Sequence, residues 1–365
     1  MKICYLADAS SVHTHKWCEH FTKIGYSTIV VSLGDGKIPN TKVYSLGIED
    51  LTDRSHINKL LNYITKIGRV KRIIKEENPD IIHAHYATSY GLLASLLNLH
   101  PYILSVWGSD VYDFPNSGTL QRKMLEWNLK NADILLSTSD AMREETAKYT
   151  DKEIGVTPFG VDTGIYKPLD IDPISDFTIG TIKSFYPKYG IEYLIKGYSD
   201  FIKETGAENT KLILGGKGPQ EDELRALAIE LGIEEKVEFL GFLDRDGVVN
   251  SFNKMDIAVF PSTLDSESFG VAAVEAGACG TPTIVSNVGG LPEATKPGYS
   301  SITVPKKDSR AITEALKKLY NDRELLNQMK INSRQYVLDT YDINKNFALV
   351  DEIYKEIYNS KHNQK

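Results

Sequence analysis

Two glutamates eight positions apart, Glu267 and Glu275, flank the start of a segment of small residues that predicts a helix. Eight residues are a little over two helical turns, so a helix that starts near Phe269 contains Glu275 and follows Glu267. A helix start carries free N–H groups and a partial positive charge, which suit a phosphate or diphosphate. The two carboxylates could then hold sugar and ribose hydroxyls. The same residues also fit an ordinary N-terminal cap followed by a solvated Glu275.

Two lysines, Lys183 and Lys188, could bring positive charge to the same site. They lie between a predicted strand that ends in Gly180-Thr181 and a predicted helix. Cations there would offset the charge of a departing diphosphate and stabilise the transition state. On composition alone, two solvated loop lysines are the simpler interpretation.

The composition limits the class of protein. A chain of 365 residues suggests two domains. The 49 acidic residues against 42 basic ones give a net charge of −7, which argues against nucleic-acid binding. Three scattered cysteines predict a reduced, cytosolic protein. The N-terminal sequence predicts a strand and not a signal peptide, and no apolar stretch approaches the ~20 residues that a membrane span needs.

Short β-branched segments alternate with helical patterns along both halves of the chain, as in parallel βαβ units. Gly, Pro and Asp between residues 157 and 168 mark a boundary. We therefore predict a Rossmann-like domain over 1–165, a second one over 166–340, and a terminal helix over 341–365 that packs back on the first domain. The predicted strands are Ile3–Leu6, Thr28–Ser32, Lys42–Ser45, Ile81–His83, Tyr102–Val106, Ile134–Ser137, Ile154–Val156, Phe177–Thr181, Lys211–Leu214, Val237–Leu240, Ile257–Phe260, Thr283–Ser286 and Ser301–Val304.

The second half resembles the donor domain of retaining glycosyltransferases of family 4, which have the GT-B fold. The similar segments are LILGGKGP from Leu212, VEFLGFLD from Val237, NKMDIAVFPS from Asn253, ESFG from Glu267, EAGACGTP from Glu275, TIVS from Thr283 and GGLPEATKPG from Gly289. The resemblance implies an α/β protein in which two doubly wound Rossmann-like domains face each other across a cleft. The second domain would bind a nucleotide-sugar and the first the acceptor.

The resemblance also implies roles for the chemistry-bearing residues of the second half. Lys188 matches a family lysine on the donor phosphates, and Lys183 stands near the position of a family arginine. A lysine lacks the bidentate fork of arginine, so the diphosphate contact differs there. Glu267 would hold hydroxyls of the donor sugar and complete the catalytic set. Phe242 or Leu243 would contact the base, and Glu275 would bind the ribose. The other predicted donor-binding residues are Ser268, Phe269, Gly270 and Val271 for sugar and phosphates, Gly216 in the Gly-rich turn, and Ser11 of the first half.

The first half supplies the predicted acceptor-binding residues, which are His13, His85, Trp107 and Asp110. His13 could equally begin an ordinary helix, whereas His85 ends a segment similar to the family strand that leads into the cleft. Many family members have a histidine, in contact with the transferred sugar, where this chain has Trp107. Tryptophan cannot accept a hydrogen bond. A subgroup of capsule and exopolysaccharide glycosyltransferases is similar to this chain at that position.

A basic amphipathic helix is predicted from Ser55 to Asn78. Such a helix could lie on anionic lipid, which a lipid-linked acceptor would favour. The simpler explanation is a Rossmann helix packed on its sheet with a solvated outer face. We expect a cytoplasmic protein, with peripheral contact at the inner membrane face if this helix binds lipid. Its predicted apolar side consists of Ile57, Leu60, Leu61, Ile64, Ile67 and Ile74.

The sequence predicts no cofactor other than the nucleotide-sugar substrate, with UDP as its nucleotide. No metal is expected, because Asp170–Asp172 and Asp244–Asp246 lack a supporting pattern and the histidines lack zinc-ligand spacing. The predicted function is transfer of a hexosyl or N-acetylhexosaminyl group, with retention of configuration, to a glycan, lipid-linked or small-molecule acceptor in polysaccharide or glycoconjugate synthesis. The alternatives are a nucleotide-sugar 2-epimerase-like enzyme of the same fold and a non-catalytic sugar-binding protein.

Overall fold

The structure is a computed structural model that describes residues 1–48, 56–171 and 176–363, without the side chains of 56–62 and 363. The chain forms two units, one made of Met1–Pro158 with Phe347–Lys365 and the other of Phe159–Asn346. The change of unit after Pro158 falls in the Gly- and Pro-containing segment of the sequence. The first unit is therefore built from both ends of the chain.

The first unit contains a seven-stranded sheet in which all neighbouring strands pair in parallel. Its strands are nearly continuous apolar runs, as expected where helices cover both faces. The strands are β1 (Lys2–Leu6), β2 (Ser27–Ser32), β3 (Lys42–Ser45), β4 (Ile81–His85), β5 (Tyr102–Ser105), β6 (Ile134–Ser137) and β7 (Ile154–Val156). The helices are α1 (Val12–Lys23), α2 (His56–Glu77), α3 (Tyr90–Leu97), α4 (Ser109–Tyr112), α5 (Thr119–Asn131) and α6 (Asp140–Thr146), with a 3₁₀ turn at Phe114–Ser117.

The strand order of this sheet is β3-β2-β1-β4-β5-β6-β7. The chain first moves from β1 towards β3 and then crosses to β4 on the other side of β1. The register pairs Ile3 with Ile81 and Leu6 with Ala84, so β1 and β4 end side by side. Ligands of open α/β sheets bind beyond the carboxyl ends of the strands at such a switch point.

The second unit repeats this arrangement with a six-stranded parallel sheet. The strands are β8 (Phe177–Ile182), β9 (Thr210–Gly215), β10 (Val237–Gly241), β11 (Ile257–Phe260), β12 (Thr283–Ser286) and β13 (Ser301–Val304). The helices are α7 (Ile191–Thr205), α8 (Glu221–Glu230), α9 (Arg245–Lys254), α10 (Val271–Ala278), α11 (Leu291–Thr295), α12 (Ser309–Asn321) and α13 (Arg323–Thr340), with 3₁₀ turns at Pro187–Tyr189 and Glu234–Lys236. The strand order β10-β9-β8-β11-β12-β13 places the switch point between β8 and β11.

The last helix, α14 (Ile343–Asn363), begins in the second unit and belongs to the first unit from Phe347 onward. Its residue Tyr354 is fully buried in the first unit. The Tyr354 hydroxyl lies 2.6 Å from Nδ1 of His83 on β4, and the ring of Phe347 contacts the ring of Trp17 edge-on at 5.4 Å. This helix therefore completes the core beside β1 and β4.

Helix α2 differs from the amphipathic pattern predicted for it. Its described buried side chains are Tyr63, Val70, Ile73 and Ile74, whereas Ile64 is 47% exposed. The prediction that Ile64 lies on the buried face of α2 is therefore wrong, because the packed face is rotated towards Tyr63 and Val70. The predicted residues Ile57, Leu60 and Leu61 lie outside the described side chains. In the described part of the chain, no helix combines the length and the apolarity that crossing a bilayer requires.

Candidate functional site

Lys183 and Glu267 form an ion pair at the switch point of the second unit. Lys183 follows β8 and Glu267 lies in the segment after β11, and Lys183 Nζ is 2.9 Å from Glu267 Oε1. The side chains are 18% and 11% exposed, so water screens the pair less than an exposed one. Burial by itself lowers the pKa of Lys183, but the charge of Glu267, its hydrogen bond and nearby Tyr189 raise this pKa above its ordinary value. Lys183 is therefore a cation at neutral pH.

Tyr189 brings the two predicted lysines together. Lys183 Nζ lies 4.6 Å and Lys188 Nζ 4.8 Å from the centroid of its ring, within the range of cation–π attraction. Lys188 is exposed on the 3₁₀ turn that precedes α7. Tyr189 is not among the predicted site residues, although an aromatic residue directly after Lys188 is a signal for it.

Glycines set the backbone around Lys183. Gly216, which follows β9, has φ +138°, and a Cβ on it would lie 2.0 Å from the carbonyl oxygen of Lys183. Gly190, with φ +62°, would place a Cβ 2.2 Å from the carbonyl oxygen of Pro261. The Lys183 amide donates to the Gly215 carbonyl at 2.9 Å. Only glycine fits where these loops meet, so the predicted residue Gly216 lies directly against the backbone of Lys183.

The loop that carries Glu267 is supported in the same way. A Cβ on Gly289 would lie 2.2 Å from the Glu267 carbonyl oxygen, and one on Gly290 would lie 2.2 Å from that of Ser268. The amide of Gly290 donates to the Glu267 carbonyl at 3.0 Å. The Gly-Gly-Leu-Pro-Glu segment contains none of the predicted site residues, because its packing partner lies more than twenty positions earlier in the sequence.

Helix α10 begins at Val271, two residues later than predicted, because Gly270 has φ +87° and ends the preceding loop. Its first hydrogen bonds run from Ala273 and Val274 to the Gly270 carbonyl, which leaves the earlier amides outside the helical ladder. Ser268 and Phe269 are buried, and Val271 is half-buried. The Phe269 ring packs edge-on against Tyr341 at 5.2 Å. Core packing of this ring fixes the amides at the start of the helix.

Glu275 is half-buried inside α10 and accepts a hydrogen bond from the Tyr166 hydroxyl. Burial, the charge of Glu275 and this hydrogen bond all raise the pKa of Tyr166. The tyrosine therefore stays protonated and orients the carboxylate. Tyr166 is not among the predicted site residues, since it lies more than a hundred positions before its partner Glu275.

Phe242 and Leu243 follow β10 at the same edge of the sheet. The amide of Gly216 donates to the Gly241 carbonyl at 2.8 Å, which joins the two loops. The side chain of Phe242 is 78% exposed, whereas Leu243 is half-buried against Gly215. Single exposed apolar residues are common, so it is the position of Phe242 that makes its ring a candidate for contact with a base.

A cavity of about 290 Å³ lies at the switch point of the first unit. Three of the predicted site residues line this cavity, namely Ser11, His85 and Trp107. The predicted residue His13 contacts the Trp107 ring edge-on at 5.7 Å. The lining consists of Asp8 and Ser11 after β1, Leu33 after β2, His85 and Tyr86 at the end of β4, Ser89 and Tyr90 at α3, and Trp107 after β5.

His85 is 1% exposed, and neither ring nitrogen has a hydrogen-bond partner among the described residues. Burial, followed by the neighbouring rings of His83 and His13, holds its pKa well below the ordinary range. Its neighbour His83 differs, because Nδ1 of His83 meets Tyr354 and Nε2 meets Ser105 at 2.7 Å. His85 is therefore a neutral, buried ring with unused hydrogen-bonding capacity.

Asp110 is fully buried behind this cavity. Its carboxylate accepts hydrogen bonds from the amides of Ala87 (2.7 Å), Gly108 (2.7 Å) and Trp107 (3.1 Å). Burial raises the pKa of Asp110, and these hydrogen bonds oppose that shift only in part. All three amides belong to the segments that carry the lining, so the observed contacts of Asp110 position those segments.

No group of three or more His, Cys, Asp or Glu residues that could hold a metal ion occurs within the described ranges. Of the Asp-x-Asp pairs, Asp244 caps α9 through the amide of Gly247 at 2.8 Å, and Asp246 is exposed. Asp172 lies outside the described residues.

Two parallel Rossmann-like sheets, each with candidate site residues at its switch point, define an α/β protein of the GT-B class. Residues 2–139 match the family of glycosyl transferase 4-like domains, and residues 173–336 match glycosyl transferases group 1. The uncharacterized glycosyltransferase MJ1178 of Methanocaldococcus jannaschii is 30% identical over 275 residues, which are 74% of this chain and 73% of that protein. The chain belongs to the family 4-type glycosyltransferases.

Two further comparisons bear on the activity and the fold. N-acetyl-alpha-D-glucosaminyl L-malate synthase of Bacillus anthracis is 25% identical over 320 residues, which are 82% of this chain and 80% of that protein. The crystal structure of Anabaena HepE in complex with UDP-glucose matches with a TM-score of 0.76 at 18% identity, covering 98% of this chain and all of that one. At that identity the match shows the shared fold.

Proposed function

We propose that this glycosyltransferase moves a hexosyl or N-acetylhexosaminyl group from a UDP-sugar to a hydroxyl of a glycan, lipid-linked or small-molecule acceptor, with retention of anomeric configuration. The product would serve polysaccharide or glycoconjugate synthesis. Support for the donor comes from the UDP-glucose bound by the HepE structure and from the N-acetylglucosaminyl group in the name of the malate synthase. In this proposal the second unit binds the donor and the first binds the acceptor.

The observation that carries this proposal is the Lys183–Glu267 pair at the switch point of the second unit. A diphosphate that binds there would compete with Glu267 for Lys183. Its arrival would free the Glu267 carboxylate, which can accept hydrogen bonds from sugar hydroxyls. One exchange of partners would thus prepare both the phosphate contact and the sugar contact.

Charge on the leaving diphosphate would be stabilised by cations and amides already in place. Lys183 and Lys188 both lie beside Tyr189, and the amides of Phe269 and Gly270 stand at the start of α10. Groups fixed before the reaction stabilise developing charge without reorganisation. No strong protein base is required if the leaving phosphate accepts the proton of the attacking hydroxyl on the same face of the sugar.

The nucleoside would be held by Glu275 and Phe242. Glu275, oriented by Tyr166, would accept hydrogen bonds from the ribose hydroxyls. The exposed ring of Phe242 would contact the base, as aromatic side chains do in many nucleotide sites. The charge of Glu275 also raises the pKa of Lys183, so the proposed ribose contact lies near the proposed phosphate contact.

The test combines binding with stereochemistry. UDP-glucose and UDP-N-acetylglucosamine are titrated into the full chain and then incubated with and without a hydroxyl acceptor, such as methyl α-D-glucopyranoside or myo-inositol, and the anomeric configuration of any product is determined by NMR. We expect donor binding and a product with the configuration of the donor. Inversion would refute the retaining mechanism, and conversion of donor sugar without an acceptor would favour the epimerase. Binding of sugars without any turnover would favour the non-catalytic alternative.

A further inference from the structure

We infer that the cavity of the first unit accepts the acceptor as an uncharged, hydroxyl-bearing ring, and that His85 binds one of its hydroxyls. The inference rests on the proposed function and specifies the class of acceptor.

The size and shape of the cavity suit a single ring. Its volume of about 290 Å³ is just below the range of roughly 300–1,000 Å³ that is typical of small-ligand pockets. Tyr86, Tyr90 and Trp107 contribute three aromatic rings to the lining. Flat aromatic faces contact the C–H groups on the apolar face of a sugar or cyclitol ring, whereas the ring hydroxyls point to polar groups at the edge.

His85 supplies a polar group that matches a hydroxyl. Buried polar groups are nearly always hydrogen-bonded, yet both ring nitrogens of His85 lack a partner among the described residues. A neutral imidazole offers one donor and one acceptor. A hydroxyl group can likewise donate and accept, whereas a phosphate or carboxylate oxygen can only accept.

Two hydroxyl groups of the lining already have hydrogen-bond partners within the protein. The Tyr90 hydroxyl accepts from the Leu33 amide at 3.2 Å, and the Tyr86 hydroxyl meets Ser109. Ser11 makes no side-chain cap bond to the helix that follows it. The polar edge of the cavity is therefore formed by His85, Ser11 and Ser89, together with Asp8.

The side-chain charges of the cavity's described lining disfavour an anion. Asp8 is the formally charged side chain in its described lining. Burial and then Lys16 lower the pKa of His13 to about 4, so His13 is neutral at pH 7, as is His85. Lys16 lies beside His13 on α1 and not in the lining. Among the described lining residues, a phosphate or carboxylate would meet no cationic side chain in return for its lost hydration, which is unfavourable.

The experiment measures binding of two matched sets of probes to the full chain by saturation-transfer NMR and calorimetry. The neutral probes are methyl α-D-glucopyranoside, methyl N-acetyl-α-D-glucosaminide and myo-inositol; the anionic probes are L-malate and myo-inositol 1-phosphate. We expect at least one neutral ring to bind about tenfold more tightly than either anion. His85→Ala should weaken that ring about tenfold, and His85→Asn, which keeps a donor and an acceptor, should restore part of the loss. His362→Ala, far along α14, is the matched control.

A second variant guards against a change of fold at His85. Asp8→Asn removes the carboxylate of the lining and should strengthen binding of the anionic probes severalfold, with thermal unfolding checked for every variant. The inference is overturned if an anion binds as tightly as the neutral rings, if no neutral ring binds, or if His85→Ala has no effect. UDP is titrated into the same samples. Lost UDP binding with intact ring binding refutes the proposed function alone, and the reverse result refutes this inference alone.

Discussion

In the second unit, Lys183 Nζ lies 2.9 Å from Glu267 Oε1, although the two residues are 84 positions apart. The pair joins the loop after β8 to the segment after β11 and neutralises a cation where the proposed diphosphate binds. Any anionic ligand must compete with Glu267 for this cation. A substitution of Glu267 can therefore separate the effect on turnover from the effect on UDP binding.

Replacing Glu267 by Gln should lower kcat about a hundredfold, comparable to the loss of one preorganised transition-state contact. UDP affinity should be unchanged or higher, because Lys183 loses its competing carboxylate. UDP release and calorimetric titration with UDP measure the two effects. Glu230→Gln, on the exposed end of α8, serves as the control. Turnover equal to that of the unmodified protein would remove Glu267 from the mechanism.

Replacing Lys188 by Met should lower turnover about tenfold or more without changing stability, since the side chain is exposed and its contact with Tyr189 is weak. Single-turnover rates with UDP-glucose test this effect, and the exposed Lys196→Met on α7 is the matched control. If both variants react at the same rate, Lys188 does not contribute to leaving-group stabilisation.

Replacing Gly216 by Ala should destabilise the second unit and weaken UDP binding together. A Cβ at Gly216 meets the Lys183 carbonyl oxygen at 2.0 Å, in addition to the strain of φ +138°. Gly206→Ala is an informative control, because Gly206 has φ +64° and open space around its Cβ position. Left-handed backbone at Gly206 costs about 1–2 kcal/mol, and Gly216→Ala should lose more because its less favourable φ and the contact with Lys183 both add to that cost. Equal losses in both variants would show that Lys183 is not displaced.

Replacing Phe242 by Ala should weaken UDP binding about tenfold, within the ~1–3 kcal/mol typical of base–aromatic contacts. Stability should change little, because the side chain is 78% exposed. Calorimetry with UDP compares this variant with Ile229→Ala, which removes another exposed apolar side chain. An unaltered dissociation constant would place the base elsewhere.

The stability of the first unit should depend on acid through Glu77 at the end of α2. Hydrogen bonds from Lys42, Tyr44 and Lys2 lower the pKa of Glu77 from its ordinary 4.5 to about 2. Because the folded-state pKa is the lower one, this contribution is present above pH 4.5 and is lost as the pH falls towards 2. Solvent screening limits it to about 1 kcal/mol.

Urea unfolding of Glu77→Gln should therefore show less loss of stability than the unmodified protein across that pH range. The exposed neighbour Glu76→Gln should leave the acid dependence unchanged. Identical acid curves for the Glu77 variant and the unmodified chain would contradict the assignment.

Much of the fold could be predicted from the sequence, because β-branched runs bounded by turn residues are strong local signals. All thirteen predicted strands overlap observed ones. The predicted start of α10 was wrong by two residues, since the hydrophobic pattern does not reveal the left-handed conformation of Gly270. The buried face of α2 was misjudged at Ile64 for a related reason, because a helix with apolar residues on several sides is oriented by its sheet.

The candidate sites were predictable only as separate segments. Which lysine pairs with Glu267, and that Tyr166 orients Glu275, depend on contacts between distant parts of the chain. The burial and the hydrogen-bond partners of a side chain also cannot be read from the sequence. Asp110 proves to be buried under three backbone amides, and His85 proves to lack the partners that His83 has.

The passage of α14 from the second unit into the first has a consequence for synthesis of the protein. Domains usually fold in order as the ribosome produces them. Here Tyr354, which contacts His83 in the core of the first unit, is translated after the whole second unit. Residues 1–158 must therefore await the synthesis of α14 before the first unit reaches its native state, and a premature stop codon after residue 346 would leave that unit without this helix.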